Sequence, residues 1–180
     1  MRRSFVSLAA TLALLACAPQ QPPEDRATIA ARNAAAVDGF LGASLRPAIR
    51  FCIAQQTGTV SDTSGLTAVG FTPSSSGALS KPIPGNVGTP PAEASIFVVL
   101  QSACVIRANG FSISRSEVDE AIAQELSALG YAPVSQEVAG KRGVAKGTAT
   151  FGKDGQLVTA KTGSTVVSGL PFVSIAIDAS

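Results

Sequence analysis

The chain contains no histidine, no tryptophan and a single tyrosine. Without imidazole there can be no Ser-His-Asp triad and no Cys-His dyad, since both use a ring nitrogen as base. Zinc or haem ligation through imidazole is excluded on the same ground, and neither a metal nor a cofactor is expected. Aromatic residues make up 5% of the chain and hydrophobic residues 46%. A core must therefore be assembled from Ala, Val, Ile and Leu with a few Phe.

Grouped positive charge is also lacking. The formal charge of +2 belongs to Arg2 and Arg3, and the rest of the chain carries 12 basic and 12 acidic residues in scattered order. Binding nucleic acid requires clustered Lys and Arg against the phosphates, so no nucleic-acid partner is expected.

Several segments imitate catalytic motifs and fall short. Gly147–Lys153, GTATFGK, matches the first seven positions of a P-loop, but Asp154 stands where Ser or Thr must hold magnesium. The segment also reads as a strand entering a hairpin, whereas a P-loop runs from strand into helix; no nucleotide is expected. Lys161-Thr162-Gly163 and Ser61-Asp62-Thr63 are similar to two motifs of β-lactamases and penicillin-binding proteins, yet the nucleophile motif Ser-x-x-Lys occurs nowhere. Glu117, Asp119 and Glu120 form an acidic cluster at the start of a helix, where they favour the macrodipole. Two carboxylates brought together from distant positions could still support hydrolysis.

The N-terminus carries a clearer signal. Arg2 and Arg3 precede SFVSLAATLALLA, an uncharged run of 13 residues. That is well short of the ~20 needed to span a bilayer as a helix, and the pattern is that of a secretory signal. Leu14-Leu15-Ala16-Cys17 at its end resembles the lipobox of bacterial lipoproteins. The resemblance implies cleavage before Cys17 and acylation of Cys17 by fatty chains such as palmitate. One acyl chain binds membranes only marginally, while two or three anchor stably. Ala18 stands where Asp commonly retains such proteins at the inner membrane, so the resemblance favours the outer membrane, facing the periplasm. Arg2-Arg3 lacks the preceding Ser or Thr of a twin-arginine signal, and ordinary export is expected.

Lipidation of Cys17 leaves Cys52 and Cys104. In an oxidising periplasm two remaining thiols are expected to pair. Closing a loop of this length contributes about 4 kcal/mol in the chain-entropy view.

The rest divides into 1–16, a signal peptide; 17–24, a lipidated Pro- and Gln-rich tether; and 25–180, a single domain. From Asp25 an Ala-rich helix carries Val37, Phe40, Leu41, Leu45, Ala48, Ile49, Cys52 and Ile53 at helical spacing, with a kink near Pro47 and a stop at Thr57-Gly58. Residues 72–92 are rich in Pro, Ser and Gly and read as a surface loop. SIFVVLQSACVIR reads as one central strand bearing Cys104. A second helix is expected at about 115–129. Ser114 and Glu117 form a capping box, Ile113 and Val118 a staple, and Val118, Ile122, Leu126 and Leu129 the buried stripe, with Gly130 as the cap. Beyond it, Arg142–Phe151 and Gln156–Thr162 flank a hairpin turn at Asp154-Gly155, and Val173, Ile175 and Ile177 alternate in a last strand. The expectation is an α+β fold, with both helices packed on a small, largely antiparallel sheet. The Cys52 helix, Gly70-Phe71 and the Cys104 strand are loosely similar to small secreted bacterial proteins of unknown function.

The expected function is that of a lipid-anchored envelope lipoprotein with a non-catalytic binding or structural role, toward an envelope protein or cell-wall component. The alternative is a cell-envelope hydrolase using carboxylates. Cys17→Ser is expected to abolish both metabolic lipid labelling and signal cleavage. Persistence of either in the variant refutes the lipobox assignment.

Overall fold

The computed structural model describes residues 26–83, 94–100, 102–141 and 144–180; Cys17, the tether and the middle of the Pro-rich segment lie outside them. The fold is α+β. Helices α1 (Arg26–Phe40), α2 (Arg46–Gln56), α3 (Ser64–Ala68) and α4 (Arg115–Ala128) accompany eight strands. These are β1 (Thr72–Pro73), β2 (Leu79–Pro82), β3 (Ser95–Leu100), β4 (Cys104–Asn109), β5 (Ala132–Lys141), β6 (Val144–Lys153), β7 (Gln156–Val167) and β8 (Leu170–Ala179). They form one sheet in the order β1-β2-β3-β4-β8-β7-β6-β5, every neighbouring pair antiparallel.

The sheet is therefore large rather than small, for three reasons of local chemistry. SIFVVLQSACVIR is not one strand but the β3–β4 hairpin, with Leu100 opposite Cys104; the apolar runs on both sides of the short polar break Gln101-Ser102 hid the turn. Residues 72–82 are not loop throughout, because β1 and β2 pair there at the sheet margin. Ala132–Lys141 gave no strand signal, since Pro133 read as a stop after α4. Proline is tolerated on an edge strand, and β5 is the edge, with a register irregularity between Pro133 and Ser135.

α1 and α2 form one continuous helical path interrupted by a π-turn at Leu41–Leu45, just before Pro47. Pro47 has no N–H to give the carbonyl four residues back, that of Ala43. Lys81 of β2 supplies the missing donor, its Nζ 2.6 Å from the Ala43 oxygen. The break in the helix is thus tied to the sheet. Phe40, at the end of α1, stacks on Phe111 with ring centroids 4.4 Å apart.

α4 begins as its sequence dictates. The Ser114 N–H donates to Glu117 Oε2 at 2.8 Å, and the Glu117 N–H donates to Ser114 Oγ at 3.2 Å. It ends at Gly130, which takes a φ of +86° that other residues resist. There the Tyr131 N–H reaches back to the Leu126 oxygen at 3.0 Å and turns the chain into β5. The buried stripe is Val118, Ala121, Ile122, Glu125 and Leu126; Leu129 is 43% exposed, because it lies at the cap after the last turn has left the core.

One face of the sheet meets the helices. Cys104, Ile106 and Ala108 of β4, Val173, Ile175 and Ile177 of β8, and Val158 and Ala160 of β7 are all buried there. α2 lies against β4 and β8, and α4 against β5, β6 and β7. Cys52 of α2 and Cys104 of β4 are joined by a disulfide, Cα atoms 5.3 Å apart, inside this layer. The tight turns Asp154-Gly155 and Ser168-Gly169 adopt positive φ and link β6 to β7 and β7 to β8.

The two main helices are fastened to each other by charge. Glu125 of α4 is only 4% exposed, and its carboxylate is held by Arg50, bidentately, and by Arg46 Nη1 at 3.2 Å, both from α2. Burial alone raises the carboxyl pKa, but the hydrogen bonds and charges of Arg50 and Arg46 outweigh it and hold the group below its ordinary range. Its stabilising contribution is present above the unfolded carboxyl value of about 4.3. It is lost as pH falls through the lower folded value. Glu125→Gln is expected to cost about 1–3 kcal/mol at neutral pH, below the figure for a fully buried pair because Arg50 is 64% exposed and screened. Urea unfolding midpoints of the two proteins should converge as the medium becomes acid; an undiminished gap in strong acid contradicts the assignment.

Candidate functional site

α4 crosses the sheet so that one flank faces β6 and β7. Asp119, Ala123 and Ser127 recur on that flank at helical spacing. Opposite them Ala149 and Ala160 are direct cross-strand partners, as are Gly147 and Thr162. With alanine or glycine at four of these facing positions, helix and sheet do not interdigitate fully, and a cavity of about 310 Å³ remains. That lies at the small end of small-molecule sites. Ile122 and Phe151 complete an apolar interior, while Tyr131, Pro133 and Gln136 border the side toward β5.

The polar end is built around Asp119. Its Oδ1 accepts from Thr162 Oγ1 at 2.8 Å, and its Oδ2 is paired with Arg115 Nη1 at 2.8 Å. Arg115 and Asp119 are one turn apart on α4, and both side chains are about four-fifths buried. Gly147 gives this pair its room, because a Cβ there would lie 2.5 Å from Arg115 Nη1 and 2.9 Å from Thr162 Oγ1. At the other end the Tyr131 hydroxyl donates to Gln156 Oε1 at 2.5 Å. The Lys153 ammonium lies 5.7 Å from the Tyr131 ring centroid and donates to the Leu129 oxygen that ends α4.

The segments singled out in the sequence take unrelated places. Gly147–Lys153 is strand β6 running into the Asp154-Gly155 turn. Lys161 and Thr162 point to opposite faces of β7, Lys161 exposed and Thr162 beneath α4. Asp62 lies just before α3, accepting from the Ser64 hydroxyl and from the Ser64 N–H at 2.9 Å, and these bonds hold its carboxyl below the usual range. Of the acidic cluster only Glu117 belongs to the first turn of α4. Asp119 faces the sheet, and Glu120 accepts from Gln124 at 2.9 Å on the exposed side. Among the described residues no three His, Cys, Asp or Glu side chains are grouped to hold a metal, and no helix is long and apolar enough to cross a membrane.

The Arg115–Asp119–Thr162–Gly147 arrangement was not read from the sequence. Two signals pointed to it: the i,i+4 spacing of Arg115 and Asp119, and a glycine inside a strand pattern, which marks close approach of another group. Compared with known proteins, the chain matches no protein family, no curated protein and no solved structure.

Gly147→Ala is expected to push the Arg115 guanidinium away from Asp119 and to destabilise the fold by about 1–2 kcal/mol, the lower range for overpacking. In an Arg115→Ala background the same substitution should cost clearly less, leaving only the close approach to Thr162 Oγ1, so a double-mutant cycle reads the coupling directly. Equal costs in both backgrounds would show that the glycine is not making room for Arg115.

Proposed function

We propose that the chain is a lipid-anchored lipoprotein of the bacterial envelope, facing the periplasm, whose domain binds a partner or ligand without catalysing a reaction. The cleft along α4 is its binding site. The observation that carries this reading is the makeup of the cleft. Its interior is alanine, isoleucine and phenylalanine, and Asp119 is the one carboxylate among its lining residues. Both Asp119 oxygens already have partners within the fold. Glycoside hydrolysis by paired carboxylates uses two groups about 5–10 Å apart across the scissile bond, and the cleft offers one. Apolar clefts with a few fixed polar groups are the usual form of a binding pocket.

The reading is tested by crosslinking in intact envelopes with a tag after Ser180, comparing the natural chain with Ala123→Leu, which fills the cleft from α4. A specific adduct is expected with the natural chain and its loss with the variant. An adduct unaffected by filling the cleft removes the cleft as the site. Release of soluble fragments from cell-wall material by the purified protein, abolished by Asp119→Asn, overturns the non-catalytic reading.

A further inference from the structure

We propose that the face of the sheet left bare by the helices docks on an anionic phospholipid surface through a cationic groove formed by Arg107, Lys146 and Lys161. This rests on the reading of the chain as lipid-anchored. The register places the groove. Arg107 of β4 is opposite Ser174 of β8, Ser174 is opposite Gly163 of β7, and Gly163 is opposite Lys146 of β6. Cross-strand partners share a face, so these four residues form one row. Lys161, two residues before Gly163 on β7, joins them on the same side.

All three basic side chains are exposed, and none forms an ion pair among the described residues. They border a shallow groove of about 270 Å³ whose floor includes Gly163, Ser174 and Ala176. A Cβ on Gly163 would lie 3.1 Å from Ser174 Oγ, so the glycine leaves space for that hydroxyl between the cations. The acidic residues of this face, Glu137 and Asp178, stand at its margins, on edge strand β5 and near the end of β8. Phe97, Val99, Val105 and Phe172 are half-buried on the same face and flank the groove. Basic side chains beside half-buried apolar ones match a headgroup layer over acyl chains.

The chain outside the described residues supplies the second argument. Only residues 18–25 separate Cys17 from the start of α1, and eight extended residues reach at most about 28 Å. An anchor that short holds the domain at a high effective concentration of headgroups. Near an anionic leaflet each Lys or Arg strengthens association about fivefold, and three together about a hundredfold.

The test uses the mature acylated protein reconstituted on vesicles of phosphatidylcholine, with or without phosphatidylglycerol. A water-soluble amine reagent labels lysines of the vesicle-bound protein, and mass spectrometry reads each site. Lys146 and Lys161 should react at least fivefold more slowly on the anionic vesicles, with Lys81 and Lys153, on the helix side, unchanged. Arg107→Gln/Lys161→Gln should restore the labelling of Lys146. Equal labelling on both vesicles, or protection that survives the double variant, overturns the proposal. So does restoration by inorganic phosphate at matched ionic strength, which assigns the groove to free phosphate. These outcomes leave the anchor itself untouched, because only vesicle-bound protein is read and lipid labelling at Cys17 tests anchoring separately.

Discussion

Width is the constraint from which the other features follow. Eight strands have seven gaps of about 4.8 Å, so the sheet is about 34 Å across before twist. Two helices packed side by side lie about 8–10 Å apart and cover little more than half of that. α2 takes the centre, over β4 and β8, where the disulfide joins it to the sheet. α4 takes β6 and β7 and touches β5 only at its border. On the other side, α3, the turn into Phe71 and the π-turn fixed by Lys81 fill what remains. The uncovered strip on the helical side falls along the outer flank of α4, and that is where the cleft lies.

The position of that strip depends on which contacts were made strong. Glu125 binds two arginines of α2, so that flank of α4 is fastened to α2. At its opposite flank α4 presents Asp119, Ala123 and Ser127, and Asp119 is hydrogen-bonded to the sheet through Thr162. One flank is held by charge and large apolar side chains, and the other carries small ones. A leucine at position 123, 149 or 160 would convert the cleft to core. The stability of the domain gains from such filling, which makes three alanines around one gap an unusual thing for packing alone to favour.

Much of this could be read directly from the sequence because it depends on local rules. The capping box at Ser114 and Glu117, the staple of Ile113 and Val118, the Gly130 cap and the Asp154-Gly155 turn each rest on residues within a few positions of one another. The apolar face from Phe40 to Ile53 has the period of a helix and is buried as that period requires. Features that depend on distant partners were hidden. Glu125 looks like a surface residue until Arg46 and Arg50 are placed beside it. The β3–β4 turn was masked because strands buried on one face and half-buried on the other both read as apolar runs. β5 was masked because an edge strand tolerates the proline and polar residues that elsewhere end a strand. The disulfide occupies a middle ground, since the expectation of export left two cysteines to pair, whereas their meeting at the centre of the core is a property of the fold.

The bare face carries the same logic one step further. A sheet covered on one side must make its other side compatible with what lies there, and ordinary solvent asks for polar residues at every outward position. β7 and β6 comply, with Thr159, Lys161, Thr148 and Lys146. β3, β4 and β8 do not, since Phe97, Val99, Val105 and Phe172 face outward there and none is fully exposed or fully buried. An outward face divided into an apolar half and a basic half is costly in water and favourable at a boundary between water and lipid. A tether of eight residues would bring the domain to such a boundary and keep it there. On the proposed lipid-anchored reading, tether and divided face act together, so that a domain with nearly balanced charges presents one basic surface to an anionic membrane.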